Sequence, residues 1–265
     1  MTRINREKML DTFDAYVSRF DLSNSSIAYK KAHSKQVAEN SQYITEHLSC
    51  KEEQIDLAWT IGLLHDFGRF QQIKSYNTFN DGKSIDHAAL GNYILFQEHE
   101  IDKFEVPKEW YWSIRKAIFN HNKLDISEDL FSSDKFQALV IRDADKVDIL
   151  KGSVTSDFTF FNTCTIDEVQ NSSITNKVYF YVKQRKLIPF DVMTTKADYF
   201  MRLYAMYFDI TFPASLQLIK EQGYFEKALQ FEFTNPDNQE KFNSIKKEIA
   251  DFTNSKLNNL NNLNN

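Results

Sequence analysis

The chain has 265 residues, of which 42% are apolar and 26% are charged, and its formal net charge is −5 at pH 7. Only six glycines and four prolines are present. So few turn-forming residues argue against a sandwich or barrel of many short strands and favour long helices joined by short connections. The 23 phenylalanines and 12 tyrosines supply too much large apolar surface for a disordered chain.

The charge and the cysteines narrow the classes of partner and compartment. The acidic balance disfavours extended binding to nucleic acid or to an anionic membrane, but it is compatible with a small anionic substrate in a locally positive pocket. Cys50 and Cys164 form neither a disulfide framework nor a CxxC metal motif. Neither a signal-peptide core nor an apolar run of about 18 residues is present. We therefore expect a soluble cytoplasmic protein with no membrane contact. Its oligomeric state is not indicated.

Apolar residues recur at helical spacing through most of the chain. In the first half this periodicity predicts helices over about residues 3–20, 27–48, 52–64, 84–98, 107–120 and 134–150. Gly68 is expected to end the third helix. Residues 69–83 are expected to form a long aromatic loop, which either faces a ligand or packs on the surface.

The second half continues the helical pattern. Residues 151–252 are expected to add four or five helices, among them about 176–184, 195–208, 213–222 and 237–252. No linker rich in Pro, Gly or Ser separates the halves, so the pattern predicts a single domain over residues 1–265. The low-complexity tail, residues 253–265, is expected to be a frayed or loosely helical end.

Several predicted helices place a histidine or an aspartate on their apolar face. His65 and Asp66 follow an apolar helix and are expected to project into a cavity, where a buried carboxylate needs a partner or a metal. The other residues of this kind are His33, His87, His121 and Asp145. One inward histidine is more often an ordinary core residue, but four with two carboxylates need mutual compensation, which a divalent cation supplies. His47 and His99 lie in polar surroundings and are expected to be solvated.

The order of these residues resembles the HD superfamily of metal-dependent phosphohydrolases. The resemblance rests on His33, the His65-Asp66 pair and Asp145 in the string IRDADKVD, and it covers roughly residues 25–150. It implies an all-α fold, namely an HD-domain helical bundle with additional C-terminal helices over about residues 151–252.

Two further histidines make the chain similar to HD proteins that hold two metals. The resemblance implies one divalent ion bound by His33, His65, Asp66 and Asp145, and a second bound by His87 and His121 with Asp66 bridging. Manganese, iron, cobalt, nickel and zinc all suit this set. An activated water would then attack the phosphorus of a small phosphorylated substrate, such as a nucleotide, as a monoester or diester.

Residues near these ligands in sequence are candidates for substrate binding. Arg69 and Lys123 are expected to clamp phosphate, and Arg69 and Asp66 are expected to be catalytic. An ordinary structural ion pair is the alternative for Arg69. Tyr76 and Phe79 are expected to stack on a base or sugar, although packing beneath the loop would equally explain them.

The sequence departs from several HD branches. The string FGRF at residues 67–70 replaces the Glu-Asp pair of guanosine tetraphosphate hydrolases, and Arg69 stands where deoxynucleoside-triphosphate hydrolases carry a second histidine. A Gly-Tyr-Pro signature of cyclic-dinucleotide phosphodiesterases is missing. Two alternatives to a phosphohydrolase stay open. The first is an HD-fold di-iron oxygenase, because the ligand set is also similar to that of such enzymes. The second is a regulatory HD module without turnover.

Overall fold

The computed structural model describes residues 4–128 and 130–263, with side chains up to residue 258. Within these residues the chain forms helices, turns and connections and no β-strand, which confirms the all-α prediction. The chain divides into two compact units, Met1–Asp145 and Lys146–Asn265. The assignment of residues 1–265 to a single domain stays a prediction.

The first unit carries the predicted metal residues. Its α-helices are α1 (Arg6–Val17), α2 (Ser25–His47), α3 (Glu52–Leu64), α4 (Phe67–Tyr76), α5 (His87–Phe96), α6 (Tyr111–Asn120) and the part of α7 (Ser132–Thr155) up to Asp145. Polar side chains cap the N-termini of several of these helices. Asn5, Asn24 and Asp86 accept hydrogen bonds from backbone N–H groups in the first turns of α1, α2 and α5.

The prediction of a loop over residues 69–83 is wrong for its first half, because helix α4 occupies Phe67–Tyr76. Gly68 therefore does not end α3; it lies in the first turn of α4. A Cβ at Gly68 would collide with the carbonyl oxygen of His87 and would lie 2.5 Å from the backbone nitrogen of Gly91. Glycine is needed here for the close approach of α4 to α5, a role that looks like a helix stop in sequence.

Close packing also fixes the helices that neighbour the close approach of α4 to α5, which is called the Gly68 crossing below. A Cβ at Gly62 in α3 would lie 2.7 Å from the Cα of Ala38, so α2 and α3 pack backbone to backbone. Tyr16 of α1 stacks on Phe67 with ring centroids 3.8 Å apart. The start of α4, which directly follows Asp66, is thereby held against α1.

The second unit contains the remaining helices. They are the rest of α7, then α8 (Phe158–Asn162), α9 (Ile166–Gln170), α10 (Asn176–Lys183), α11 (Lys196–Ala205), α12 (Pro213–Glu221), α13 (Tyr224–Ala228) and α14 (Pro236–Leu263). In the described residues seven α-helices follow α7, so the expectation of four or five over residues 151–252 is wrong. The additional helices α8, α9 and α13 have only five residues each, too few to show helical periodicity. Helix α14 continues through the low-complexity tail to Leu263, whereas Asn264 and Asn265 lie outside the described residues.

An aromatic core and one buried carboxylate organise the second unit. Tyr204 packs edge-on against Phe242 with ring centroids 4.8 Å apart, and its hydroxyl donates to the Ala228 carbonyl. Buried Asp198 accepts hydrogen bonds from the backbone N–H groups of Thr175 and Thr194. In the described part of the chain, no helix is long and apolar enough to cross a membrane.

The Gly68 crossing gives a stability prediction. Gly68→Ala is expected to lower the free energy of unfolding by about 1–3 kcal/mol, because the new methyl group overpacks the backbone of α5. Gly82→Ala is the control, since its Cβ would meet only the Asn80 side chain at 3.3 Å. Urea unfolding measures both variants, and equal stabilities would contradict the close-approach role.

Candidate metal centre

Five segments of the first unit bring the six predicted residues together. His33 lies on α2, the His65-Asp66 pair joins α3 to α4, and His87 is the first residue of α5. His121 directly follows α6, and Asp145 lies on α7. All are buried except Asp145, whose side chain is 19% exposed. The side chains share one small volume, in which three overlapping groups are close enough to hold metal ions.

One half of this cluster contains His33, His65 and two carboxylates. The Nε2 atom of His33 lies 3.0 Å from Asp145 Oδ1 and 3.5 Å from Asp66 Oδ2. The Nε2 atom of His65 lies 3.3 Å from Asp66 Oδ2 and 3.7 Å from Asp145 Oδ1.

The protonation of His65 is fixed by its other nitrogen. Nδ1 of His65 lies 2.8 Å from the Gly62 carbonyl oxygen, which can only accept a hydrogen bond. Nδ1 therefore carries the proton, and the buried Nε2 presents a lone pair to two carboxylates and makes no hydrogen bond with any of the residues that the structure describes. A lone pair and two anions facing one another fit a divalent cation.

The other half of the cluster contains His87 and His121. Their Nε2 atoms are 3.0 Å apart, and they lie 3.3 and 3.8 Å from Asp66 Oδ1. Nδ1 of His121 lies 2.6 Å from the Ile118 carbonyl, and Nδ1 of His87 lies 2.6 Å from Asp81 Oδ2. Both Nδ1 atoms therefore donate, so two Nε2 lone pairs face each other. This arrangement also fits a cation.

The charges of the carboxylates and of His87 suit metal binding. Burial opposes ionisation of Asp66, but Lys30 and His65 outweigh it and hold the pKa of that carboxyl well below its usual range. The pKa of Asp145 is likewise far below its usual range, because His33 outweighs the effect of burial. Burial lowers the pKa of His87 to about 4. At neutral pH these groups are carboxylates and a neutral imidazole, the forms that ligate metals.

Sequence reasoning missed Lys30. Its Nζ lies 2.5 Å from Asp66 Oδ2, and its side chain is only 12% exposed. The same amine lies 5.6 Å from the centre of the Phe79 ring and 5.8 Å from that of Tyr29. Lys30 precedes His33 by three residues, so the helical spacing of α2 was the signal that could have found it.

Arg69 is held by the residues around it. Its Nη1 donates to Asp81 Oδ1 at 2.8 Å, to Gln72 Oε1 at 2.7 Å and to the Phe79 carbonyl at 2.7 Å. Its Nε lies 3.5 Å from Asp66 Oδ1. These bonds match the structural ion pair that was the alternative to a phosphate clamp.

The other predicted substrate-binding residues lie in different positions relative to the histidine and aspartate cluster. Phe79 lies between two cations, with its ring centre 5.7 Å from Arg69 Cζ and 5.6 Å from Lys30 Nζ. Lys123 forms an ion pair with Asp86, the N-cap residue of α5, so it lies beside the cluster. Tyr76, the last residue of α4, is half exposed. His47 and His99 are exposed.

A comparison with known families agrees with this geometry. A sequence profile of the HD domain matches residues 31–150, a range that contains all six clustered residues. Residues 31–150 are an HD domain. The resemblance expected from the sequence is confirmed, and the HD family consists mostly of metal-dependent hydrolases. Searches of curated proteins and of solved structures give no match.

The group formed by His33, His65, Asp66, His87, His121 and Asp145, called the HD cluster from here on, gives a prediction for metal binding. His65→Ala is expected to weaken divalent-cation binding by more than the roughly 10–100-fold effect of losing an outer-sphere partner, because a ligand atom itself is removed. His99→Ala is the matched control, since the His99 side chain is 76% exposed. Equilibrium dialysis against Mn²⁺ with elemental analysis measures both. Unchanged affinity in His65→Ala with intact helical structure would contradict a metal-binding role.

Proposed function

We propose that this HD protein is a cytoplasmic metal-dependent phosphohydrolase. It would hydrolyse a phosphomonoester or phosphodiester of a small nucleotide-like substrate by means of two divalent cations. The observation that carries the proposal is the position of Asp66, whose two oxygens face different histidine pairs. Oδ2 faces His33 and His65, and Oδ1 faces His87 and His121.

The HD cluster offers two sets of ligands. The first set is His33, His65, Asp66 and Asp145, and the second is His87 and His121 with Asp66 shared. Manganese, iron, cobalt, nickel and zinc all accept imidazole and carboxylate ligands. When bound, the cations supply Lewis-acid activation of water and neutralise phosphate charge.

In this reaction Asp66 is the catalytic carboxylate, because each of its two oxygens belongs to one of the two ligand sets. Lys30 is the best-placed phosphate-binding side chain, because its amine lies next to the shared ligand Asp66. Its flexible stem lets the amine turn to a phosphate oxygen, which the planar guanidinium of an arginine does less readily. A phosphate oxygen entering the site would compete with Asp66 for that amine. Phe79 lies beside Lys30 and supplies a face for a base or sugar.

The remaining candidates have weaker support as substrate residues. Lys123 is 32% exposed beside the cluster and is a second cation for a phosphate group. Arg69 would have to give up its bonds to Asp81 and Gln72 before it could clamp phosphate through Nη1. Tyr76 lies at the far end of α4 from Asp66, so it would contact a substrate that extends along α4.

Hydrolysis of generic esters tests the proposed function. The protein loaded with Mn²⁺ or Ni²⁺ is expected to cleave p-nitrophenyl phosphate or bis-p-nitrophenyl phosphate, and Asp66→Asn is expected to lower the rate by at least about 100-fold through loss of the shared ligand. Asp102→Asn is the control, because Asp102 is half exposed and pairs with His99.

Two outcomes would contradict a phosphohydrolase. The first is O₂ consumption by the Fe²⁺-loaded protein without hydrolysis of any ester in a nucleotide panel, which would favour the di-iron oxygenase. The second is metal binding without any turnover, which would favour a regulatory HD module.

A separate variant tests the role of Lys30. Lys30→Gln is expected to lower kcat/KM for a phosphate ester by about 10- to 100-fold, which is the loss of one hydrogen bond between charged groups. Both proteins are assayed at saturating Mn²⁺, because Lys30 also donates to the ligand carboxylate of Asp66 and its loss can change metal affinity as well. Lys31→Gln is the matched control, because Lys31 pairs with Asp14 instead. Equal kinetic constants for Lys30→Gln and the wild type would exclude Lys30 from phosphate binding.

A further inference from the structure

Asp81, in the connection between α4 and α5, has a different set of partners on each carboxylate oxygen. Oδ1 accepts hydrogen bonds from Arg69 Nη1 at 2.8 Å and from Gln72 Nε2 at 2.9 Å. Oδ2 lies 2.6 Å from His87 Nδ1 and accepts a longer bond, 3.3 Å, from Asn122 Nδ2. The carboxylate therefore connects a fixed pair of donors on α4 to one nitrogen of the imidazole that begins α5.

These contacts determine which nitrogen of His87 carries the proton. A carboxylate accepts hydrogen bonds, so His87 donates from Nδ1 and its Nε2 keeps the lone pair. That lone pair faces Asp66 Oδ1 at 3.3 Å and His121 Nε2 at 3.0 Å. In metal sites, a carboxylate on the far nitrogen of a histidine selects the tautomer and orients the ring.

We propose that Asp81 is a positioning residue that sets the tautomer and orientation of His87 for the second cation, and that Arg69 acts through Asp81 rather than on the substrate. The inference rests on the proposed metal centre. Gln72 belongs to the same arrangement. It is fully buried, and its Nε2 also donates to Ser84 Oγ and to the Ile85 carbonyl. Arg69 and Gln72 thus fix Asp81 and the segment that leads into α5.

An additional cation site at the same place is disfavoured. Asp81, Asp86 and His87 are close enough together to hold an ion. However, Asp81 already pairs with Arg69, and Asp86 pairs with Lys123. Nδ1 of His87 would also have to give up its proton to bind a metal there. The positioning role uses these contacts as they stand.

The variant Asp81→Asn tests whether Asp81 sets the tautomer of His87. Arg69 and Gln72 both donate toward Oδ1, so the amide oxygen of the asparagine is expected to stay there. Its NH₂ group would then face His87 Nδ1 and could not accept a hydrogen bond from it. His87 is expected to change to the Nε2–H tautomer, which directs a proton at Asp66 and His121 in place of a lone pair.

The tautomer is read directly from ¹⁵N-labelled full-length protein by long-range ¹H–¹⁵N spectra of the histidine rings. The spectra are recorded at about pH 8, where an ordinary imidazole is neutral, on both metal-free and zinc-loaded samples. We expect Nδ1–H for His87 in the metal-free wild type and Nε2–H in Asp81→Asn. Asp86→Asn is the matched control: it removes the same charge from the residue directly before His87, asparagine is an equally good N-cap, and the His87 tautomer is expected to be unchanged, because Asp86 pairs with Lys123.

Metal stoichiometry supplies the second readout. In equilibrium dialysis against Zn²⁺ with elemental analysis, Asp81→Asn is expected to weaken the second ion by about 10- to 100-fold while the first is retained. Asp81→Ala is expected to lose less, because alanine imposes no tautomer. A merely structural role predicts the opposite order, since asparagine conserves the shape of the side chain.

Three results would overturn the inference: Nε2–H at His87 in the metal-free wild type, an unchanged tautomer in Asp81→Asn, or a greater loss of metal in Asp81→Ala than in Asp81→Asn. The tautomer is measured without a phosphate ester, so a failure of hydrolysis is distinguishable from a failure of this inference. Intact hydrolysis with an unchanged tautomer would overturn the inference alone.

Discussion

The buried carboxylate of Asp66 is the constraint on which the organisation of the first unit depends. A buried anion must be compensated, and the side chain is only 3% exposed. Lys30 supplies one positive charge, and the imidazoles around the two oxygens supply ligand atoms for cations. Compensation from several directions requires several helices to end or cross at one point. The close approaches at Gly62 and Gly68 are what allow them to do so.

The helix termini explain why three of the four histidines, His65, His87 and His121, present Nε2 to the cluster. The last carbonyl groups of an α-helix lack the N–H partner four residues later that interior carbonyls have, so each can accept a hydrogen bond from a side chain. His65 and His121 each follow the last residue of a helix and place Nδ1 on the carbonyl three residues earlier, which turns Nε2 into the cluster. His87 begins a helix, where N–H groups and not carbonyls are unpartnered, so a side chain, Asp81, accepts the hydrogen bond from its Nδ1–H. The need for Asp81 follows from where His87 lies.

The sequence predicted much of this fold for identifiable reasons. Helices with a long apolar stripe, such as α2 and α3, were recognised nearly to their ends, since periodicity and caps are local properties. Helix α4 was missed because Gly68 lies in its first turn and polar residues follow. Lys30 was missed although its helical spacing from His33 on α2 places it beside the cluster. Asp81 was missed because a single polar residue in a connection shows no pattern until its partners are in place.

The sequence by itself determined the helical class, the HD motif and the six inward residues, because each depends on residue type together with helical spacing or order along the chain. Tertiary structure alone decided how the oxygens of Asp66 are divided between two histidine pairs, and that Arg69 bonds to Asp81. These are relations between segments that are distant along the chain. Their geometry depends on backbone approaches of a few ångströms, which no local pattern encodes.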